Sequence, residues 1–185
     1  WLLKQQKPDG DLRGPQGGRM YCHGIAAIAL CEAYGLTKDP KLKDPAIRAI
    51  NFILKAQHNA GGWRYKPGEA GDLSVTGWQY MALHSARMAD LEVPEEAFVK
   101  TRKFLDTVSG GNKAGIYGYT GPSKVHPAMT ATGMFLRQLD LAPPTDPRMQ
   151  ESAELLKTKM LKDCEHKISV KASSLGLEFL KKNLL

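Results

Sequence analysis

Apolar positions along the chain fall into two kinds of helical segment that alternate. From Met20 to Tyr34 nearly every position after the first turn is apolar, through Ile25, Ala27, Ile28, Leu30 and Cys31. A helix apolar all round is expected in an inner layer, buried on all sides. Gly35 reads as its C-terminal cap. Asp44-Pro45 then supplies an N-cap and a proline at the first helical position. Beyond it Ile47, Ile50, Ile53 and Leu54 recur at helical spacing, with Arg48, Asn51 and Lys55 opposite. That is the pattern of an amphipathic outer helix. Ser74 to Met88 repeats the inner kind with Trp78, Met81, Ala82 and Leu83. Pro94 to Val108 repeats the outer kind, with Phe98, Leu105 and Val108 inward and Lys100, Arg102 and Lys103 outward. Pro127 opens a third inner segment through Met134, Phe135 and Leu136. Asp146-Pro147 opens a third outer one, with Met149, Ala153, Leu156 and Met160 on one stripe.

Loops rich in glycine and aromatic residues join these segments. The fullest runs Gln57-His58-Asn59-Ala60-Gly61-Gly62-Trp63-Arg64-Tyr65, and a later one carries Gly115-Ile116-Tyr117-Gly118-Tyr119. Asp44-Pro45 matches Asp146-Pro147, and Leu54-Lys55 matches Leu156-Lys157 at the same separation. The unit of outer helix, loop and inner helix is about 50 to 54 residues, in the range of solenoids and closed arrays. Lys162 to His166 breaks the scheme and a Lys-rich tail follows. Residues 1–160 therefore read as the repeat domain and 161–185 as a divergent basic capping segment, since terminal repeats are often atypical. An array cut short at this point is the alternative.

Composition narrows the picture only a little. The 185 residues suffice for one buried core, and 42% hydrophobic with 24% charged content is ordinary for a globular chain. The longest apolar run, Ile25 to Cys31, is far shorter than the roughly 20 residues that span a bilayer. No signal-peptide pattern opens the chain, and Trp1 reads as the last turn of a helix, which implies a fragment or a processed form. The net charge of +7 and pI near 9.3 raise a nucleic-acid reading. Lys and Arg are nevertheless spread along helices and mixed with Asp and Glu. Only the tail is enriched, through Lys157, Lys159, Lys162, Lys167, Lys171, Lys181 and Lys182. No nucleic acid is expected; peripheral contact with a membrane surface and a protein partner stay open. Cys22 and Cys31 lie nine residues, roughly 13 Å, apart on one helix, beyond disulfide reach. With Cys164 they form neither a disulfide framework nor a zinc knuckle, and they leave the compartment undetermined.

Phe52-Ile53-Leu54-Lys55-Ala56-Gln57 followed by Gly61-Gly62-Trp63 resembles the Gln-Trp repeat of squalene and oxidosqualene cyclases, relatives of the protein prenyltransferase β subunits. Trp1 to Gln6, and Phe104-Leu105 with Gly115-Ile116-Tyr117, look like degenerate copies. The resemblance covers roughly residues 1 to 160. It implies an all-α fold, an α/α toroid of about three helical hairpins in a half-toroid or small variant. It also implies a central cavity, with chemistry where inner helices begin and Gln57, Gly62 and Trp63 as structural elements. Helix starts present free N–H groups and positive dipole ends to such a cavity.

At those places stand Cys22 and His23, Asp72, Ser74 and Thr76, and His126, Thr130 and Thr132. The cyclases' acid motif is Asp-x-Asp-Asp; Asp72-Leu73-Ser74-Val75 keeps one carboxyl without acidic neighbours to hold it neutral. The prenyltransferases' zinc set needs Asp-x-Cys and a distant His; Ser74 stands where the Cys belongs, and serine oxygen is a poor thiolate substitute. No metal site and no cofactor is expected. The complement-like thioester Cys-Gly-Glu-Gln is absent. His23 and Asp72 are the catalytic candidates, against a buried histidine bonded to a loop carbonyl and a plain N-cap. Cys22, Thr76, Trp78, Tyr80, His126 and Thr130 are the ligand-binding candidates. A cavity lined by Trp78, Tyr80, Met81 and Phe135, with His23 and Asp72 at its mouth, would bind a hydrophobic, isoprenoid-like small molecule. A non-catalytic protein-interaction scaffold and a polysaccharide-active enzyme of similar fold are the alternatives.

Overall fold

Among the described residues the fold is all-α apart from one two-residue ladder. A computed structural model of the chain describes residues 1–14, 19–123 and 126–171, with side chains described through residue 159. The elements are α1 (Leu2–Gln5), α2 (Met20–Thr37), α3 (Pro40–Ala56), α4 (Leu73–Met88), α5 (Glu95–Val108), β1 (Ser109–Gly110), β2 (Ile116–Tyr117), α6 (Pro127–Leu139) and α7 (Pro147–Lys171). β1 and β2 pair antiparallel, Ser109 opposite Tyr117 and Gly110 opposite Ile116. The tail beyond residue 171, including Leu175 to Leu185, lies outside the described residues. α7 itself runs without interruption through the expected boundary at residue 160.

α2, α4 and α6 pack side by side as a front layer, α4 in the middle, with α3 against α2 and α4, α5 against α4, and α7 against α6. The three front helices run parallel. Tyr21 meets Ser74 at their starts, and Gly35 closes on Ala89 at their ends, where an added Cβ would lie 3.2 Å from the Ala89 Cβ. Their shared core holds Leu73, Leu83, Phe98, Leu105, Tyr80 and Trp63, all essentially buried. This burial supplies most of the stabilising free energy, at roughly 25 cal/mol per Å² of apolar surface removed from water.

Several local expectations change. α3 starts at Pro40, with the Asp39 carboxylate accepting the Lys41 N–H at 2.9 Å, so Asp44-Pro45 is interior. Asp39-Pro40 carries the same cap-and-proline signal one turn earlier and takes it. Pro45, with no N–H to donate, costs α3 one helical bond, and its carbonyl also accepts the Gln6 amide. α2 continues past Gly35 to a left-handed Lys38 (φ +52°), whose ammonium bonds the Ala89 carbonyl and Asp90. Gly35 serves the close approach of α4 rather than the cap. On α7, Met149 and Ser152 are buried while Ala153 is exposed, because Ser152 reaches back to the Gly115 carbonyl. α2 is not buried on all sides either: Ile25 is 48% exposed, with Trp78 of α4 and Phe135 of α6 at 37% and 39%. The front layer thus has an open apolar face.

Candidate functional site

Each loop is clamped onto the second helix after it, α3, α5 or α7, and this fixes where the front helices begin. A Cβ on Gly10 would lie 2.1 Å from the Arg48 carbonyl oxygen, on Gly61 1.9 Å from that of Lys100, and on Gly115 2.2 Å from that of Arg148. Arg48, Lys100 and Arg148 are therefore equivalent, two residues out of register with the Asp-Pro match read from sequence. The Gln6 amide donates to the Pro45 carbonyl at 2.9 Å, and the Gln57 amide to the Gly61 and Ala97 carbonyls at 3.0 and 3.1 Å. Gly62 packs against Gly71 and the Phe104 ring, and Trp63 Nε1 donates to the Ile53 carbonyl at 2.8 Å.

The fourth residue of each front helix closes the clamp. His23 Nδ1 accepts the Leu12 N–H at 3.0 Å, Thr76 Oγ1 the Trp63 N–H at 3.0 Å, and Thr130 Oγ1 the Tyr117 N–H at 3.1 Å. All three side chains are fully buried. His23 also bonds the Ala49 carbonyl through Nε2 at 3.0 Å, and its ring lies 4.6 Å from that of Phe52. Burial lowers its pKa below the ordinary histidine value.

At the helix starts the clamps gather a cluster of hydroxyls around one carboxylate. Asp72 caps α4: its Oδ1 accepts the Val75 N–H at 2.9 Å and the Ser74 hydroxyl at 2.6 Å. Its Oδ2 is buried without a hydrogen bond, with Arg64 Nε 3.8 Å away. The Tyr21 hydroxyl bonds Ser74 from α2. The Tyr65 and Tyr119 hydroxyls, 54 positions apart in sequence, meet at 2.5 Å. Partial burial raises the Tyr119 pKa above the ordinary phenol value. The bond to Tyr65 and the charge of Asp72 add to the rise, and Ser74 opposes it. The Arg19 guanidinium lies 4.4 Å from the centre of the Tyr65 ring.

Ser74 is also one wall of a groove of about 460 Å³ along the open face, lined by Gly77, Trp78, Met81, Met129 and Phe135. Gly77 opens its floor, since a Cβ there would meet only Thr132 Cγ2, at 3.0 Å. Such a volume falls within the roughly 300–1,000 Å³ of small-molecule sites.

Of the residues expected from sequence, Trp78, Met81 and Phe135 reach this groove, and Asp72 lies beneath its polar end behind Ser74. His23, Thr76 and Thr130 are not at the mouth; they are spent on loop backbone, as a buried N–H demands an acceptor. Tyr80 points away into the core, where its hydroxyl donates to Asp140 at 2.6 Å and burial raises its pKa. His126 caps α6, accepting the Met129 N–H at 3.5 Å, and Cys22 is exposed. Sequence reasoning assigned no site role to Tyr21, Tyr65 or Tyr119. The signal available was the matching place of Tyr65 and Tyr119 in successive loops.

Among the described residues no three His, Cys, Asp or Glu side chains come together as a metal site, and no helix is long and apolar enough to cross a membrane. No protein-family model matches the chain, and no curated protein matches it.

Proposed function

We propose that the chain is a divergent repeat domain of the squalene-cyclase and prenyltransferase type, its three helical hairpins forming part of an α/α toroid. Its function on this reading is to bind an apolar, isoprenoid-like molecule along the open face of α2, α4 and α6. The observation that carries the reading is the groove itself. Trp78, Met81 and Phe135 leave apolar surface in water beside a glycine floor, and exposed apolar concavities of this kind are ligand sites by preference. Ser74, held by Asp72 and Tyr21, gives the groove a polar end, so a bound molecule would have a fixed direction.

Native mass spectrometry after incubation with an isoprenoid hydrocarbon tests this. The wild-type chain is expected to retain it and Gly77→Val, which fills the floor, to lose it while keeping its helical circular dichroism. Absence of retention by the wild type, or equal retention by both, sinks the reading. A protein-binding function has its own observation. Leu36 and Met88, 88% and 84% exposed, rim a second groove of about 420 Å³ between the far ends of α2 and α4. Loss of a partner on Leu36→Ser with Met88→Ser, hydrocarbon retention unchanged, would favour it.

A further inference from the structure

We propose, resting on the protein-binding reading of the second groove, that the partner it takes is a basic amphipathic helix. A large apolar side chain of that helix seats between Leu36 and Met88, and a Lys or Arg one turn away bonds Glu32. The seam of α2 and α4 builds the site. Gly35 closes on Ala89 at its floor, beside the buried thiol of Cys31. Burial and the charge of Glu32 push that thiol up to about 12, so the floor stays uncharged and behaves as an apolar surface.

Glu32 supplies the one charge in the lining. The Ser85 hydroxyl of α4 donates to its Oε1 at 3.1 Å, which holds the carboxylate across the seam. Among the described residues its Oε2 takes no hydrogen bond, and no cation stands within 4 Å. The cations on either side are engaged elsewhere. Lys38 pairs with Asp90 and donates to the Ala89 carbonyl, and Arg87 pairs with Glu95 and lies over the Phe98 ring. An apolar groove with one fixed, unpaired carboxylate favours a cation and repels an anion. The net charge of +7 opposes a basic partner at long range, but salt screens it beyond about 8 Å. Its lysines also gather from Lys157 onward, and α7 packs against α6.

Spacing and size point to a helix. Glu32 and Leu36 are four residues apart on α2, one turn, about 6 Å along the axis. A helix laid along α2 matches that interval with residues three or four apart. Leu36 and Met88 stand almost wholly exposed on the rim. A small molecule held inside the groove leaves them in water, whereas a helix lying across it covers them.

The test is selection on the immobilised full chain from a displayed library of helical peptides, about 15 residues long and randomised along one face. Enriched peptides are expected to carry Lys or Arg three or four positions from Leu, Met or Phe. In calorimetric titration they should bind Glu32→Lys about tenfold more weakly than wild type, and Leu36→Ser with Met88→Ser not at all. Glu32→Gln gives a smaller loss of the same sign, about threefold, should Glu32→Lys fail to fold. Enriched peptides without a basic residue, or undiminished binding to the Glu32 variants, overturn the basic partner and spare the protein-binding reading. Absence of enrichment, or equal binding to Leu36→Ser with Met88→Ser, overturns both.

Discussion

The Leu12 backbone N–H donates to Nδ1 of His23 at 3.0 Å, and that one bond fixes the tautomer of a fully buried ring. With Nδ1 accepting, the ring hydrogen sits on Nε2 and goes to the Ala49 carbonyl. Burial is the largest influence on the ring and lowers its pKa; the Ala49 bond and the charge of Asp11 oppose it. The folded chain therefore keeps His23 neutral where the unfolded chain begins to take up a proton, near pH 6.5. Stability is full above that pH and falls as the pH drops toward the folded-state value. His84, lowered by burial as well, acts in the same direction. Urea unfolding at about pH 7.5 and pH 5.5 is expected to show the loss, and His23→Thr to remove part of it. His23→Ala is expected to cost about 2–3 kcal/mol at neutral pH, since the Leu12 N–H is left buried and unpaired.

Gly61 and Gly68 separate backbone strain from steric exclusion. Both have positive φ, +96° and +75°, but a Cβ on Gly61 would lie 1.9 Å from the Lys100 carbonyl oxygen and one on Gly68 has nothing within 4 Å. Gly68→Ala is expected to cost about 1 kcal/mol, the conformational term alone. Gly61→Ala should cost more than about 3 kcal/mol, since loop and α5 must part. Thermal unfolding of the two variants side by side measures the difference.

Arg137 stands on α6 where α2 has Leu30 and α4 has Leu83, at the same distance from the helix start. Its guanidinium is buried, pairs with Asp106 and donates to the Tyr117 hydroxyl at 3.2 Å. Asp106 is 63% exposed and returns readily to water when unpaired. Arg137→Leu is therefore expected within about 1 kcal/mol of wild type, whereas Arg137→Ala opens a void and should cost about 2–4 kcal/mol. Equilibrium denaturation of both variants distinguishes a needed ion pair from a needed volume.

Glu151 holds the third loop by its carboxylate, which accepts the N–H groups of Asn112, Lys113 and Gly115 at 2.7, 2.9 and 2.8 Å. Burial is the largest single influence on Glu151 and raises its pKa, but the three backbone bonds together lower it below the ordinary value of 4.5. The contribution is thus present above that pH and lost as the pH falls through the folded-state value. Glu151→Gln is expected to cost about 1–2 kcal/mol at neutral pH and to approach wild type in acid. Amide hydrogen exchange at residues 112–115 should quicken in the variant.

The bond ladder between successive units has a chemical stop at α6. The Met20 N–H donates to the Tyr65 carbonyl at 3.0 Å and the Leu73 N–H to the Tyr119 carbonyl at 2.8 Å. The residue in that place on α6 is Pro127, which has no N–H to offer.

Sequence by itself determined the helices and their order. Greasy and amphipathic segments alternate because a helix stripe must be buried, and Phe98, Leu105 and Val108 went inward as their spacing required. It determined the glycine-rich loops and set Trp78 and Met81 on one face of α4, since helical periodicity is a local property. Only the tertiary structure decided which polar residues are free. His23, Thr76 and Thr130 face loop N–H groups whose positions depend on contacts with α3, α5 and α7, through Gly10, Gly61 and Gly115. Tyr21, Ser74, Tyr65 and Tyr119 lie on separate helices and loops, and nothing local predicts that their hydroxyls meet over Asp72. Spacing along one helix fixes direction. Meeting across elements is set by how closely the backbones pack, which here rests on glycines and on bonds that no short stretch of sequence contains.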